Sequence, residues 1–149
     1  MCLSSRCEAC DTSTGNCIKC RQNNTYGNDC QYHCNPGCLN TACTQQTGEC
    51  TACSNQTVYG DFCDKPCSDN CTDRHCYRNG TCTLGCVTNQ HGPKCQYTCS
   101  ENCLAATNGS RCDGLGICLE GCVEGYSGQN CETGLCSDFI DLYTFHSIY

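Results

Sequence analysis

The chain has 149 residues, 25 of them cysteine and none tryptophan, and a net charge of −7. Leu, Ile, Val and Phe together contribute 18 residues, about 12%, below the ~20% that an ordinary apolar core requires. These figures exclude a single-core enzyme, a helix bundle and a membrane-spanning bundle, because ordering such a chain needs covalent or metallic cross-links. They also argue against nucleic acid as a partner, since no basic patch exists to displace counterions.

The chain opens Met1-Cys2-Leu3 with neither the basic nor the apolar segment of a signal peptide. The expectation is therefore a fragment, or an incomplete gene model, of a longer protein that is secreted or membrane-anchored. No stretch reaches the ~18–20 apolar residues of a membrane span.

Four six-cysteine units follow in order. The first, residues 2–30, uses Cys2, Cys7, Cys10, Cys17, Cys20 and Cys30, with gaps of 4, 2, 6, 2 and 9. The second, residues 34–63, uses Cys34, Cys38, Cys43, Cys50, Cys53 and Cys63, with gaps of 3, 4, 6, 2 and 9. The third, residues 67–95, uses Cys67, Cys71, Cys76, Cys82, Cys86 and Cys95, with gaps of 3, 4, 5, 3 and 8. The fourth, residues 99–131, uses Cys99, Cys103, Cys112, Cys118, Cys122 and Cys131, with gaps of 3, 8, 5, 3 and 8. Unit starts are 32, 33 and 32 residues apart, a period that marks a repeat array. The eight-residue gap Leu104–Arg111 reads as a loop insertion on the scaffold.

Other positions keep the same phase. Glycine stands two residues before the fourth cysteine of every unit, at Gly15, Gly48, Gly80 and Gly116. It stands three before the sixth at Gly27, Gly60, Gly92 and Gly128. Such placement predicts turns with positive φ or a backbone passing close to a disulfide. Tyr26, Tyr59 and His91 precede the second glycine in the first three units. In the fourth Ser127 takes that place, with Tyr126 one step earlier. The ring is expected to cover the last disulfide and pack on the neighbouring unit. A minor hairpin is expected between the fourth and sixth cysteines, as in Thr81-Cys82-Thr83 returning through Pro93-Lys94-Cys95. Helical periodicity is absent, so the fold class is small and disulfide-rich, a linear array of modules with short β-hairpins and negligible helix.

Residues 132–149 comprise the start of a fifth unit, at Cys136, and a cysteine-free tail rich in aromatic residues, Ser137–Tyr149. That tail is expected to be a truncated gene model or an alternative exon. Cys136 is expected to be unpaired within the chain, as a free thiol or an intermolecular bridge.

A six-cysteine unit with Gly-x-Cys at the fourth cysteine and Gly-x-x-Cys at the sixth resembles an EGF-like domain. The compact sub-type with Cys-x3-Cys at the front resembles that of multiple-EGF-like-domain proteins, the Draper-type engulfment receptors and class F scavenger receptors. The best match runs from Cys118-Leu119-Glu120-Gly121-Cys122 to Gly125-Tyr126-Ser127-Gly128-Gln129-Asn130-Cys131. The resemblance implies pairing of first with third, second with fourth and fifth with sixth cysteines, where cysteine counting alone allows 15 pairings per unit. The implied disulfides are Cys2–Cys10, Cys7–Cys17 and Cys20–Cys30; Cys34–Cys43, Cys38–Cys50 and Cys53–Cys63; Cys67–Cys76, Cys71–Cys82 and Cys86–Cys95; and Cys99–Cys112, Cys103–Cys118 and Cys122–Cys131. With only Glu8-Ala9 between Cys7 and Cys10, the first unit departs most from the pattern.

Zinc is the rival reading of the cysteines, since Cys7-x2-Cys10-x6-Cys17-x2-Cys20 has the paired thiolates of a tetrahedral site. Its spacing drifts in the later units while the glycines hold still, which disfavours metal. Cys50-Thr51-Ala52-Cys53 has redox-motif spacing but no α/β context to lower a thiol pKa. Calcium would need six to eight oxygen ligands, and ahead of the first cysteines only Asp64 is a candidate. His33, His75, His91 and His146 form no pair at metal spacing. No catalytic constellation is visible, and the expectation is a non-enzyme without cofactor.

Asn-x-Ser/Thr sequons stand at Asn23, Asn55, Asn70, Asn79 and Asn108, the glycosylation candidates of an exported protein. With so many cysteines, they place the chain outside the cell. Three-residue linkers between cross-linked units predict a semi-rigid rod able to bind multivalently. The resemblance implies a ligand-binding or adhesion segment of a scavenger- or engulfment-type receptor, taking protein, lipid or polyanionic ligands on cells or particles. A secreted or matrix spacer without a ligand is the alternative, and a cysteine-rich metal-binding protein the remote one. Arg74, His75 and Arg78 are the one local cluster of cations in the sequence.

Overall fold

Glycine decides where this chain turns. Gly15, Gly48, Gly80 and Gly116 lie at φ between 77° and 88°, and Gly27, Gly60, Gly92 and Gly128 between 91° and 94°, a region from which side chains are largely barred. The computed structural model describes Cys2 and residues 4–134. It is built of short two-stranded antiparallel hairpins with no α-helix among the described residues. In the first repeat β1 (Cys7–Cys10) pairs with β2 (Cys17–Cys20). The remaining strands are pairs of residues: β3 (Thr25–Tyr26) with β4 (Tyr32–His33), β5 (Val58–Tyr59) with β6 (Lys65–Pro66), β7 (Gln90–His91) with β8 (Tyr97–Thr98), and β9 (Tyr126–Ser127) with β10 (Thr133–Gly134).

These hairpins sit further along the chain than the sequence predicts. Thr81-Cys82-Thr83 forms no strand with Pro93–Cys95; Cys82 makes a single bridge with Cys76 and one hydrogen bond, N–H to the Pro93 carbonyl at 2.8 Å. The ladder instead straddles the sixth cysteine and takes in the last two of the three linker residues. The cause is a turn that closes on that cysteine. The Cys30 N–H donates to the Gly27 carbonyl at 3.0 Å, and Cys63 and Cys131 repeat the bond to Gly60 and Gly128. Cys30, Cys63, Cys95 and Cys131 themselves adopt left-handed φ of 52°, 49°, 52° and 53°. A cysteine in that region costs about 1–2 kcal/mol, which its disulfide and flanking ladder offset.

The hairpin β1–β2 is closed by Asp11. Its carboxylate accepts the N–H groups of Ser13 at 2.7 Å and Thr14 at 2.9 Å, together with the Ser13 hydroxyl. These bonds favour the charged form, the Ser13 hydroxyl most of all, and hold the Asp11 pKa down at about 2.

Sulfur is the core. All buried apolar side chains among the described residues are half-cystines, with Cys30, Cys38, Cys50, Cys95 and Cys131 no more than 1% exposed. Large apolar side chains such as Ile18, Tyr77, Leu84 and Leu115 remain outside. Among the described residues twelve disulfides join the pairs 2–10, 7–17, 20–30, 34–43, 38–50, 53–63, 67–76, 71–82, 86–95, 99–112, 103–118 and 122–131. Each repeat thus links its first cysteine to its third, second to fourth and fifth to sixth.

The chain divides into two compact units, Met1–Val87 with Pro93–Gln96, and Thr88–Gly92 with Tyr97–Tyr149. Inside the first, consecutive repeats are joined by a ring on a glycine. A Cβ at Gly48 would lie 2.4 Å from Cζ of Tyr26, and one at Gly80 would lie 3.0 Å from Cε2 of Tyr59. Beside the Tyr26 contact, Gln45 bridges the repeats: its carbonyl accepts the Gly27 N–H at 2.8 Å and its Oε1 the Cys20 N–H at 3.0 Å. Gly60 donates likewise to the Arg78 carbonyl at 2.9 Å. In the second unit His91 takes the place of the tyrosine. A Cβ at Gly116 would lie 2.6 Å from its Cε1, and the Gly92 N–H bonds the Gly114 carbonyl at 3.0 Å.

Candidate binding surface

With sulfur inside and most side chains outside, the candidate surface is made largely of exposed loops. The second and third repeats carry the same one. Asn40 and Thr41 lie at φ 56° and 50°, and Asp73 and Arg74 both at 56°, inside the 3-10 turns Leu39–Thr41 and Thr72–Arg74. Two successive non-glycine residues at positive φ are costly. The turn is held between flanking half-cystines, Cys38 and Cys43 in one repeat and Cys71 and Cys76 in the other. The same backbone shape is therefore presented twice with different side chains.

In the cluster Arg74, His75 and Arg78 both arginines have carboxylate partners. Arg74 pairs with Asp69 at 3.1 Å, while Arg78 pairs with Asp61 at 3.5 Å and donates to the Thr51 carbonyl at 3.2 Å. Two other arginines, 15 positions apart in the chain, come together instead. The register Cys7↔Cys20 sets Arg6 opposite Arg21 at the open end of β1–β2, where the Arg21 N–H meets the Arg6 carbonyl at 2.9 Å. Sequence reasoning missed this pair, because only the strand register reveals it.

The sequons fall into two kinds. Asn55, Asn79 and Asn108 are exposed, and each accepts the N–H two residues on through Oδ1, at 2.9, 3.0 and 2.9 Å. Asn23 is exposed as well, but its sequon Thr25 is 8% exposed and donates its hydroxyl to the Gln22 carbonyl at 2.9 Å. Asn70 differs: it is half-buried and its Nδ2 donates to the Cys95 carbonyl at 3.2 Å. Asn102 makes the same bond to Cys131 without belonging to a sequon. The pair identifies an asparagine that ties the second cysteine of a repeat to its sixth.

Cys7, Cys10, Cys17 and Cys20, the zinc-like set, are distributed over three disulfides. Cys50 and Cys53 likewise bond different partners, Cys38 and Cys63. Among the described residues, the groups at metal-ligand spacing are Cys71, Cys82 and Cys95, and Cys103, Cys118 and Cys131. All six sulfurs belong to disulfides, so they offer no thiolate. Asp64 joins neither group and lies exposed beside β6. Cys136, His146 and the tail lie outside the described residues.

Short antiparallel hairpins knit by disulfides, without an apolar core, define a small disulfide-rich protein whose repeats are consistent with EGF-like modules in general. Extensive cross-linking of this kind is typical of extracellular proteins, and among the described residues no helix is long and apolar enough to cross a membrane. No family model and no curated protein matches the chain.

Proposed function

We propose that the chain is an extracellular ligand-binding segment of a scavenger- or engulfment-type receptor, engaging cells or particles through many weak contacts. The observation that carries this reading is the repetition of one exposed, disulfide-braced turn at Leu39–Thr41 and Thr72–Arg74. Loops held rigid before binding lose little entropy on contact. Several copies in one chain raise the effective concentration of each after the first has bound, so weak sites sum to useful avidity. Half-cystines supply the rigidity, so loop side chains are free to vary without loss of the scaffold.

The test is uptake of labelled particles by cells displaying the chain on a membrane anchor. A variant with all cysteines and glycines kept, but with Leu39–Thr41, Thr72–Arg74 and Leu104–Arg111 scrambled, should lose uptake while retaining twelve disulfides by intact mass. Equal uptake by both would refute the binding role and favour the spacer reading.

A further inference from the structure

We infer that Arg6, Arg21 and His33 form a binding groove for a sulfate ester of an acidic glycan, an inference that rests on the ligand-binding reading and names a ligand chemistry for it. The groove encloses about 410 Å³ at one end of the first repeat, and Ser5, Gln22 and Gln31 complete its polar lining. Both arginines line the groove without a carboxylate partner among the described residues. The ion pairs among the described residues are Lys19–Glu8, Arg74–Asp69 and Arg78–Asp61, and none of them reaches Arg6 or Arg21.

The backbone bond from the Arg21 N–H to the Arg6 carbonyl at 2.9 Å sets the two arginines across the end of the hairpin, and both line the groove. Opposed positions of an antiparallel pair have Cβ atoms about 4.5–5.5 Å apart, and like charges placed there destabilise the hairpin. The Arg21 Nε–H donates to the Ser5 carbonyl at 3.0 Å, which anchors the side chain along the edge of the hairpin and leaves its terminal N–H groups for another acceptor. An oxyanion between the two side chains removes the repulsion and gains charge-assisted, forked hydrogen bonds from both.

The remaining lining selects among oxyanions. Ser5, Gln22, Gln31 and His33 carry the hydroxyl, amide and imidazole groups that sugar hydroxyls bond, all in exposed positions. The buried members are Thr25 and Cys30, and no Leu, Ile, Val, Phe, Trp or Tyr belongs to the lining. A membrane headgroup site would be expected to set an apolar anchor beside its cations; this groove has none. Two guanidiniums and a ring of hydrogen-bond donors and acceptors suit one sulfated sugar.

The experiment uses the full chain, its twelve disulfides checked by intact mass, titrated with a short heparin-derived oligosaccharide and followed by amide and arginine side-chain NMR shifts. Shifts should centre on Arg6, Arg21, Gln22 and His33. Affinity should fall about tenfold in Arg6→Gln and further in Arg6→Gln/Arg21→Gln, and should weaken as salt rises. Arg78→Gln, which removes a cation paired with Asp61 outside the turns assigned to binding, should leave it unchanged. Absence of binding, equal affinity for the desulfated oligosaccharide, or an unchanged Kd in the double variant would overturn the inference. So would binding to vesicles of an anionic phospholipid with no response to the oligosaccharide. Inorganic sulfate matching the oligosaccharide in affinity would do the same, since the sugar would then contribute nothing. If the groove fails while the scrambled-loop variant still loses particle uptake, the receptor reading stands and only the groove is lost.

Discussion

Replacing Gly48 by alanine tests the joint between the first two repeats, and Gly85 supplies the control. Both glycines sit in the left-handed region, at φ 77° and 78°, so either alanine carries a backbone cost of roughly 1–2 kcal/mol. Around Gly85 nothing lies within 4 Å of the added methyl. At Gly48 the methyl would stand 2.4, 2.6 and 2.7 Å from Cζ, Cε2 and Cε1 of Tyr26, where carbon atoms settle at about 3.5–4.0 Å. The ring must therefore retreat by roughly an ångström, and forcing such a shift in a packed contact adds about 1–3 kcal/mol. The assay is native-state hydrogen exchange at the amides of Gly27 and Cys20, which bond the Gln45 carbonyl and side chain across the joint. Gly48→Ala should speed their exchange by about five- to 150-fold, and Gly85→Ala should leave them near the parent rate. Equal effects of the two substitutions, or an unmoved Gly27 amide in Gly48→Ala, would refute the claim that the ring on the glycine holds the repeats together.

Glycan mapping of the chain secreted from animal cells should find Asn55, Asn79 and Asn108 occupied and Asn70 bare, since the Asn70 amide nitrogen is already bonded to Cys95; a stoichiometric glycan at Asn70 would contradict that geometry. The Asp11 carboxyl should titrate at about 2 by NMR and move back toward 3.8 in Ser13→Ala. Because the folded value is the lower one, the bonds of Asp11 stabilise the hairpin above about pH 4 and are lost as pH falls through 2. Replacing Cys38 and Cys50 by alanine releases a cross-link of sequence separation 12, worth about 3 kcal/mol of chain entropy. Amide protection should fall across the second repeat and persist in the fourth.

Much of this protein is legible in its sequence because its constraints are local. A period of 32 or 33 residues, with glycines at constant distances from the fourth and sixth cysteines, specifies where the backbone must turn, and positive φ follows at every one of those positions. Cysteine content together with the scarcity of Leu, Ile, Val and Phe specifies the kind of core. Sulfur can be counted, whereas an apolar core would have to be inferred from periodicity. The ring before the second glycine was also readable as an inter-repeat contact, though its seat on the next repeat's first glycine was not.

Tertiary structure decided whatever depends on register. The left-handed conformation of the sixth cysteine carries no composition signal, since cysteine has no special tolerance for it; ring closure by the disulfide and the flanking ladder imposes it, and with it the position of every minor hairpin. Charge clusters behave the same way. Arg74 and Arg78 look like a patch because they are neighbours in sequence, yet each has a carboxylate at hand in the fold, whereas Arg6 and Arg21 meet only because Cys7 pairs with Cys20. Asn70 reads as an acceptor for sugar until the chain brings the Cys95 carbonyl to it from 25 residues away. Spacing along the chain determines turns and cross-links; which side chains remain available for a ligand is settled by the pairing of strands.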